Sequence, residues 1–403
     1  MAEQQVDILI VGGGLTGAAL NLALAGRGLS IRLIETNSFD TRLSPDFDAR
    51  TIALSPASVR ILQMLKVWPL LESHATAINT IHVSDQYHFG TVNLQAKQNH
   101  SLGYVVEMQQ INRALHQLLD PATIMAPASL IELDVNSAVA TIEQNGRASR
   151  IKAKLIVAAD GVHSSVRTLA NMKVNVKDYQ QQAIVANIGL NRSHHNYAYE
   201  RFTANGPLAL LPMSEQRASL VWAVKPERAH ELLKLDETQF LKQLQLTFGY
   251  KAGRFIKAGK RFVYPLRQAI MPIQAAWPLV FVGNAAHTLH PVAGQGFNLG
   301  LRDVATLAQC LIKDGLSAIM LGNYQQMRRY DQQATARFTD SLIAVFTNKI
   351  PGFGMARSLG LMAVDNLPGL KALLTRHARG FAGTVPDLVC GIELAGGNNE
   401  TAI

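Results

Sequence analysis

Stretches of the chain in which nearly every position is apolar take turns with stretches in which apolar and polar positions alternate. Residues 6–11 read VDILIV, a short β-branched run of the sort covered on both faces in a parallel sheet. Residues 15–26 follow with helical composition and 30–35 form the next strand, so the chain opens on a β-α-β unit with glycines between strand and helix. The pattern over 55–71 predicts a helix with Ser55 or Ser58 as its cap. From 79 to 94 the alternation of apolar and polar residues predicts antiparallel strands. A helix resumes over about 109–119, and strand-like alternation returns through 128–158, ending in an apolar run ahead of Asp160-Gly161. A second antiparallel block covers roughly 183–224. The run 279–282 predicts another buried strand, followed by a glycine-rich loop, a long helix over about 296–313 and a further helix over 324–345. After Pro351 the chain is apolar with scattered Lys and Arg, and beyond Gly391 it becomes small and polar, a frayed tail.

The order of these elements predicts an α/β protein in which a Rossmann-like nucleotide-binding domain is interrupted by a mixed or antiparallel-sheet domain, with helices at the C-terminus. The expected boundaries are 1–75, 100–182 and 265–340 for the nucleotide domain, 76–99 and 183–264 for the inserted domain, and 341–403 for the C-terminal helical region and tail. A length of 403 residues suits two packed domains, or one large domain with insertions.

Composition narrows the chemistry. Cys310 and Cys390 lie outside any disulfide or zinc spacing, so no disulfide framework or structural metal is expected. The net charge of +9 fits a phosphate-bearing cofactor or an anionic membrane surface. Nucleic acid is set aside, because the basic residues form no dense run and aromatics are only 6%. Residues 8–26 carry one charge-free stretch, yet the flank is acidic at Glu3 and Asp7, and Gly12, Gly13, Gly14 and Gly17 would break a spanning helix. The sequence therefore reads as cytoplasmic, with peripheral attachment at the inner face of the membrane and self-association both compatible with it.

Three motifs carry chemistry. The first, Gly12-x-Gly14-x-x-Gly17, sits between a strand and a helix, with Glu35 at the end of the next strand. One glycine permits the tight turn, one lets the backbone approach a pyrophosphate, and one allows close helix–strand packing, while the helix N-terminus holds phosphate charge. Leu15 and Thr16 belong to the same cofactor-binding turn, and Glu35 is placed to accept hydrogen bonds from an adenosine ribose. This fingerprint does not separate FAD from NAD. The second motif, Ala158-Ala159-Asp160-Gly161 through Arg167, sets a carboxylate at a strand's C-terminal end, where it can face a ligand or simply cap the following turn, as Ser164 also can. The third runs from Val282 to Asp303. Gly283 and Asn284 follow a strand, Pro291, Gly294 and Gln295 lie in or beside the loop, and Gly296, Phe297 and Asn298 open a helix whose N-terminus can stabilise negative charge on a reduced flavin. His287 and His290 lack a third ligand for a metal, and none is expected.

These three motifs, in this order and spacing, resemble the class A flavoprotein monooxygenases related to p-hydroxybenzoate hydroxylase. The segments Asp48-Ala49-Arg50-Thr51-Ile52-Ala53-Leu54, Gly103-Tyr104-Val105-Val106-Glu107, Glu200-Arg201-Phe202 and Gly206 through Met213 extend the similarity over about residues 5–380. They direct it to the ubiquinone-biosynthesis hydroxylases, and most to the 2-polyprenyl-6-methoxyphenol hydroxylases. One departure is Asn284 where most of the broad family has Asp; an amide can still hydrogen-bond the flavin's ribityl chain, and Asn also occurs in that subgroup. The resemblance implies FAD as cofactor and NAD(P)H as a transient electron donor. It further implies hydroxylation of a polyprenylated phenol by O2 through a flavin C4a-hydroperoxide, and contact with other ubiquinone-biosynthesis proteins. It places Arg50 and Arg113 near the flavin and its pyrophosphate, Asp160 near the nucleotide, and the Phe297 and Asn298 backbone at the isoalloxazine. The sequence identifies no catalytic base. Other readings stay open: another phenol or ring position, a flavoenzyme that reduces isoprenoid double bonds, or a non-catalytic flavin-containing assembly subunit. Phenol-stimulated, O2-dependent consumption of reduced nucleotide separates the first from the last two.

Overall fold

The computed structural model describes residues 3–39, 47, 50–96, 100–214, 216–290, 295–347, 353–381 and 385–394. Its first strand, Glu3–Val11, lies between Arg147–Ala158 and Ile31–Ile34, parallel to both. Leu279–Phe281 and Ile124–Met125 extend this parallel set on either side. Ile8, Leu9 and Ile10 are fully buried, as an unbroken apolar run requires when both faces of a sheet are covered, here by helices on the Ile8 and Ile10 side and by residues such as Ala140, Ile142 and Val166 on the Leu9 side. The strand Arg147–Ala158 shows how pattern follows environment. Its first half alternates buried and exposed positions where it pairs antiparallel with Val139–Gln144, and its last four residues are all buried where parallel neighbours flank it.

A nine-stranded, mostly antiparallel sheet forms the second layer, in the order His287–Thr288, Phe262–Ile270, Asn175–Leu190, Arg217–Val224, Gly206–Pro212, Tyr197–Thr203, Thr80–Asp85, Thr91–Gln95, with Phe255–Ala258 beside Asn175–Leu190. Asn175–Leu190 crosses the expected boundary at 182/183, and Phe262–Ile270 crosses that at 264/265. A small sheet of Thr51–Leu54, Gly103–Glu107 and Thr76–Ile78 joins the two large ones.

The sequence pattern names no element between 224 and 279, yet two helices form there, Pro226–Lys234 and Glu237–Phe248, besides the two strands already given. Their apolar residues Ala229, Leu232, Phe240 and Leu244 cover one face of the large sheet, against Leu208, Leu210, Leu220 and Trp222. The helix expected over 55–71 ends early: Pro56–Met64 is helical, Lys66 takes a positive φ of 60°, and Trp68–Leu70 continues as a separate 3₁₀ turn. Ser55 is its cap, accepting from the Ser58 N–H at 3.2 Å.

The C-terminal helices pack on the large sheet. Arg357 of Phe353–Asn366 donates to Asp85 at 2.9 Å, and Asp365 accepts from the Asn93 N–H at 3.2 Å. Leu361 and Val364 turn inward, whereas Met355, Leu359 and Met362 are exposed. Among the described residues no helix is long and apolar enough to cross a membrane.

Candidate active site

The glycine turn divides its labour by residue. Gly12 has φ +104°, and a Cβ there would lie 2.6 Å from the Ala159 carbonyl oxygen, so turn and close approach both demand glycine. At Gly17 a Cβ would fall 1.9 Å from the Gly12 oxygen, because the helix Leu15–Leu24 starts directly against the strand. A Cβ at Gly14 would meet nothing within 4 Å. Gly14 is also the N-cap of that helix, with no side-chain cap and no acidic residue in the first turn, so its end presents bare N–H groups to an anion. Glu35 Oε2 accepts from the Gly13 N–H at 2.8 Å and Oε1 from the Asn37 N–H at 3.0 Å. The turn is braced from behind by His116, whose Nε2 lies 2.8 Å from the Gly13 oxygen and whose ring stacks on Phe39 at 3.8 Å.

In the second motif Asp160 and Ser164 both cap the following turn. Asp160 Oδ2 accepts from the Val166 N–H at 3.1 Å and the Ser165 hydroxyl at 2.9 Å, and Ser164 caps the turn by accepting from the Arg167 N–H at 3.0 Å. Asp160 Oδ1 has no protein partner among the described residues, and Asp160 lines the central cavity.

The third motif is anchored by a buried ionic cluster. Asp303, on the long helix Gln295–Asp314, accepts from the Gly283 N–H at 3.0 Å, pairs with His287 Nε2 at 2.6 Å, and accepts from Arg328 Nε at 2.7 Å. Burial opposes its charge, but His287 and Arg328 outweigh that and hold the Asp303 carboxyl well below the usual range. Arg328 also donates to Asp331 at 2.6 Å, and Asp331 receives Arg302 at 2.7 Å. His287 is thus committed to a carboxylate, and His290 is buried, which pushes its imidazole down to about 4. Asn298 points its side chain inward: Oδ1 accepts from the Ser55 N–H at 2.8 Å and the Ser58 hydroxyl at 2.7 Å, and Nδ2 donates to the Ala53 oxygen at 2.9 Å. It ties the long helix to the small sheet.

These strand ends and helix starts surround one cavity of about 910 Å³. Gly12, Gly14, Leu15, Thr16, Glu35 and Asp160 line it from one side, and Gly283, Asn284, Gly296, Phe297 and Asn298 from another. Gly17 supports it from behind. Arg50 and Arg113 are exposed and do not line it, although Thr51, next to Arg50, does. Pro291 and Gly294 lie outside the described residues, as do Asp48 and Ala49 of the quoted segment, and Gln295 is described only as the first residue of its helix.

The far end of the cavity belongs to the large sheet. Strand parity puts Leu208, Leu210, Leu220 and Trp222 under the helices, and their neighbours Ala209, Leu211 and Val221 toward the cavity. The helix Ala318–Thr347 closes this end with Phe338, Leu342 and Phe346, the last stacked on Phe202 at 3.6 Å. One carboxylate stands on this apolar floor. Glu200 pairs across the sheet with Val83 and Ala209, and Ala209 with Val221, all four lining the cavity. No hydrogen bond or ion pair holds Glu200 among the described residues, and burial pushes its carboxyl up to about 7. Glu200 falls in a segment that carries the family resemblance, but the sequence gives it no role; its signal is a lone acid on the inward parity of a strand, visible only once the inward face is known.

Comparisons with known proteins give this geometry its class. Among solved structures, p-nitrophenol 4-monooxygenase PnpA from Pseudomonas putida aligns with a TM-score of 0.76 at 16% identity, over 94% of this chain and 99% of that one. PqsL of Pseudomonas aeruginosa, in complex with 2-aminobenzoylacetate, aligns at 0.73 and 20%, over 89% and 100%. They define the fold as that of the FAD-dependent monooxygenases, like p-hydroxybenzoate hydroxylase. Residues 5–339 match the FAD binding domain family. Ubiquinone hydroxylase UbiL of Rhodospirillum rubrum is 36% identical over 395 residues, covering 94% of this chain and 90% of that protein. The 3-demethoxyubiquinol 3-hydroxylase of Escherichia coli is 32% identical over 404 residues, covering 94% and 100%. The chain belongs to the FAD binding domain family and, within it, to the ubiquinone-biosynthesis group of class A flavin monooxygenases. It is an FAD-dependent monooxygenase, and the site fits that cofactor: a bare helix N-terminus, open space at Gly14 and an unshared carboxylate oxygen at Asp160 all face one cavity.

Proposed function

We propose that this chain hydroxylates the ring of a polyprenylated phenol, 2-polyprenyl-6-methoxyphenol, in ubiquinone biosynthesis, with NAD(P)H as a transient electron donor. The observation that carries the reading is the two-ended cavity: backbone N–H groups and strand ends at one end, and at the other an aliphatic and aromatic chamber suited to a ring bearing an isoprenoid chain. The hydroxylase names of the two relatives support the pathway.

In this reading Gly12, Gly14, Leu15 and Thr16 hold the pyrophosphate of FAD at the bare helix end, with Gly17 setting the helix close enough. Glu35 accepts from the ribose, and Asp160, Gly283 and Asn284 contact the nucleotide and ribityl chain. Pro291, Gly294, Gln295, Gly296, Phe297 and Asn298 frame the ring system, whose negative charge the start of the long helix stabilises. Arg50 and Arg113 reach the flavin and its pyrophosphate from exposed positions. FAD, once bound and reduced by NAD(P)H, would activate O2, which is the source of the oxygen atom placed on the ring. Residues 1–75, 100–182 and 265–340 form the cofactor domain, 76–99 and 183–264 seat the phenol, and 341–403 are the C-terminal helical region and tail. The exposed Met355, Leu359 and Met362 give the helix Phe353–Asn366 an apolar face for a membrane surface that holds such a substrate.

Mass spectrometry of lipid extracts from cells with and without the chain tests the reading. The expected result is accumulation of 2-polyprenyl-6-methoxyphenol without the chain and its disappearance on re-expression. Unchanged quinone levels and no such phenol would overturn the pathway assignment.

A further inference from the structure

We infer that Glu200 is the catalytic base that takes the phenolic proton, an inference that rests on the reading of the substrate as a phenol. The strand Tyr197–Thr203 presents Glu200 to the cavity between Ala198 and Phe202, in a row of otherwise apolar side chains, Val83, Ala209 and Val221, that crosses four strands. A carboxylate in such a place, with no hydrogen bond or ion pair among the described residues, gains nothing for the fold, since its desolvation goes uncompensated. It is explained if a ligand supplies the partner.

The step balances without a redox partner. The phenol O–H bond breaks, its electron pair stays on the ring oxygen, and the proton forms an O–H bond with a Glu200 carboxylate oxygen. The chamber holds one negative charge before and after, so an apolar site carries out the transfer without the cost of a second buried ion. The phenolate ring is the more electron-rich acceptor for an oxygen atom. The lift of the Glu200 carboxyl to about 7 leaves both of its forms populated near neutrality, where a general base works best.

The side chains that line this end of the cavity with Glu200 are mostly apolar. They include Val83, Ala209 and Val221 from the sheet, Phe338 and Phe346 from the helix Ala318–Thr347, and Leu361 from Phe353–Asn366. Tyr199, its chain neighbour, has its hydroxyl raised by burial and stays neutral, while Arg201 is turned to the Thr247 oxygen at 3.1 Å and the Ser84 hydroxyl at 3.4 Å. Glu35 and Asp160 line the cavity from the strand ends of the cofactor sheet.

The test uses the FAD-loaded enzyme with NAD(P)H, O2 and a short-chain phenol, and measures product, kcat, KM and the pH profile. For the wild type, kcat should rise along a limb near 7. Glu200→Gln should bind FAD normally and keep KM within about threefold, yet lose roughly 10²–10⁴ in kcat at neutral pH. Its limb should move toward the phenol's own ionisation near ~10. Glu200→Asp should recover part of the rate with a limb below the phenol's, and it carries the test by itself if the Gln variant does not retain FAD. A Gln variant that keeps wild-type kcat with no change in the limb would overturn the assignment, as would an Asp variant whose limb already sits at the phenol's ionisation. A wild type that turns over no phenol would sink the substrate reading first, and this inference with it.

Discussion

The two ends of the cavity are built by opposite strategies. At the glycine end, position is enforced by contacts that tolerate no added atom, as at Gly12 and Gly17, and by a buried ionic cluster around Asp303. At the sheet end, Ala209, Leu211, Val221 and Leu361 form a surface whose shape comes from ordinary side-chain packing, with Glu200 as its carboxylate. A phosphate-bearing cofactor needs fixed donors at a fixed helix end, whereas a lipid-like ring needs an apolar volume that many side chains can supply. The first kind of site is intolerant of change and the second forgiving.

Three substitutions sharpen that contrast. The largest effect is expected at Gly14→Val, whose side chain enters open space and so leaves the fold intact while occupying the place of the pyrophosphate. The purified variant should lose the flavin absorbance and keep its circular dichroism; a yellow protein with full flavin occupancy would remove Gly14 from the cofactor site. Next comes Asp303→Asn, which removes one of the two buried carboxylates that hold Arg328 and the carboxylate bound to His287. Unfolding by denaturant should show a loss of about 3–5 kcal/mol, and a loss under about 1 kcal/mol would mean that the cluster does not hold the Gly283 turn.

The smallest is the effect of Glu200→Gln on stability, and its sign depends on pH. The folded carboxyl titrates at about 7 against 4.5 for the free side chain. Below 4.5 both states are protonated and the acid costs nothing. As pH rises the unfolded chain ionises first, so the wild type loses stability until about 7 and no further. The Gln variant should therefore be the more stable at pH 8, by about 1–3 kcal/mol, with the gain gone at pH 4. A gain equal at both pH values would show that Glu200 is not desolvated.

Legibility followed the same division. Strand 3–11, the glycine turn, Glu35 and the long helix after 295 could be read directly, because each depends on interactions within about thirty residues: an unbroken apolar run, glycines at set intervals, an acid at the next strand end. Ser55 was legible as a cap for the same reason. The helices Pro226–Lys234 and Glu237–Phe248 went unread, since short amphipathic segments are decided by the sheet face they cover. Asn298 was read for its backbone, but its side chain is spent on Ser55, Ser58 and Ala53, more than two hundred residues away in the chain.

What the sequence by itself determined is the class of protein and the glycine-rich turn at one end of its cavity, because backbone conformation and helix-end charge are local properties written in spacing. Which acid stands on the apolar floor of the cavity, which histidine is bound to Asp303 and which residues of the C-terminal helices line the chamber were decided by the tertiary structure alone. Those facts depend on strand parity across four paired strands and on partners brought together from distant segments, and neither leaves a periodic mark in the chain.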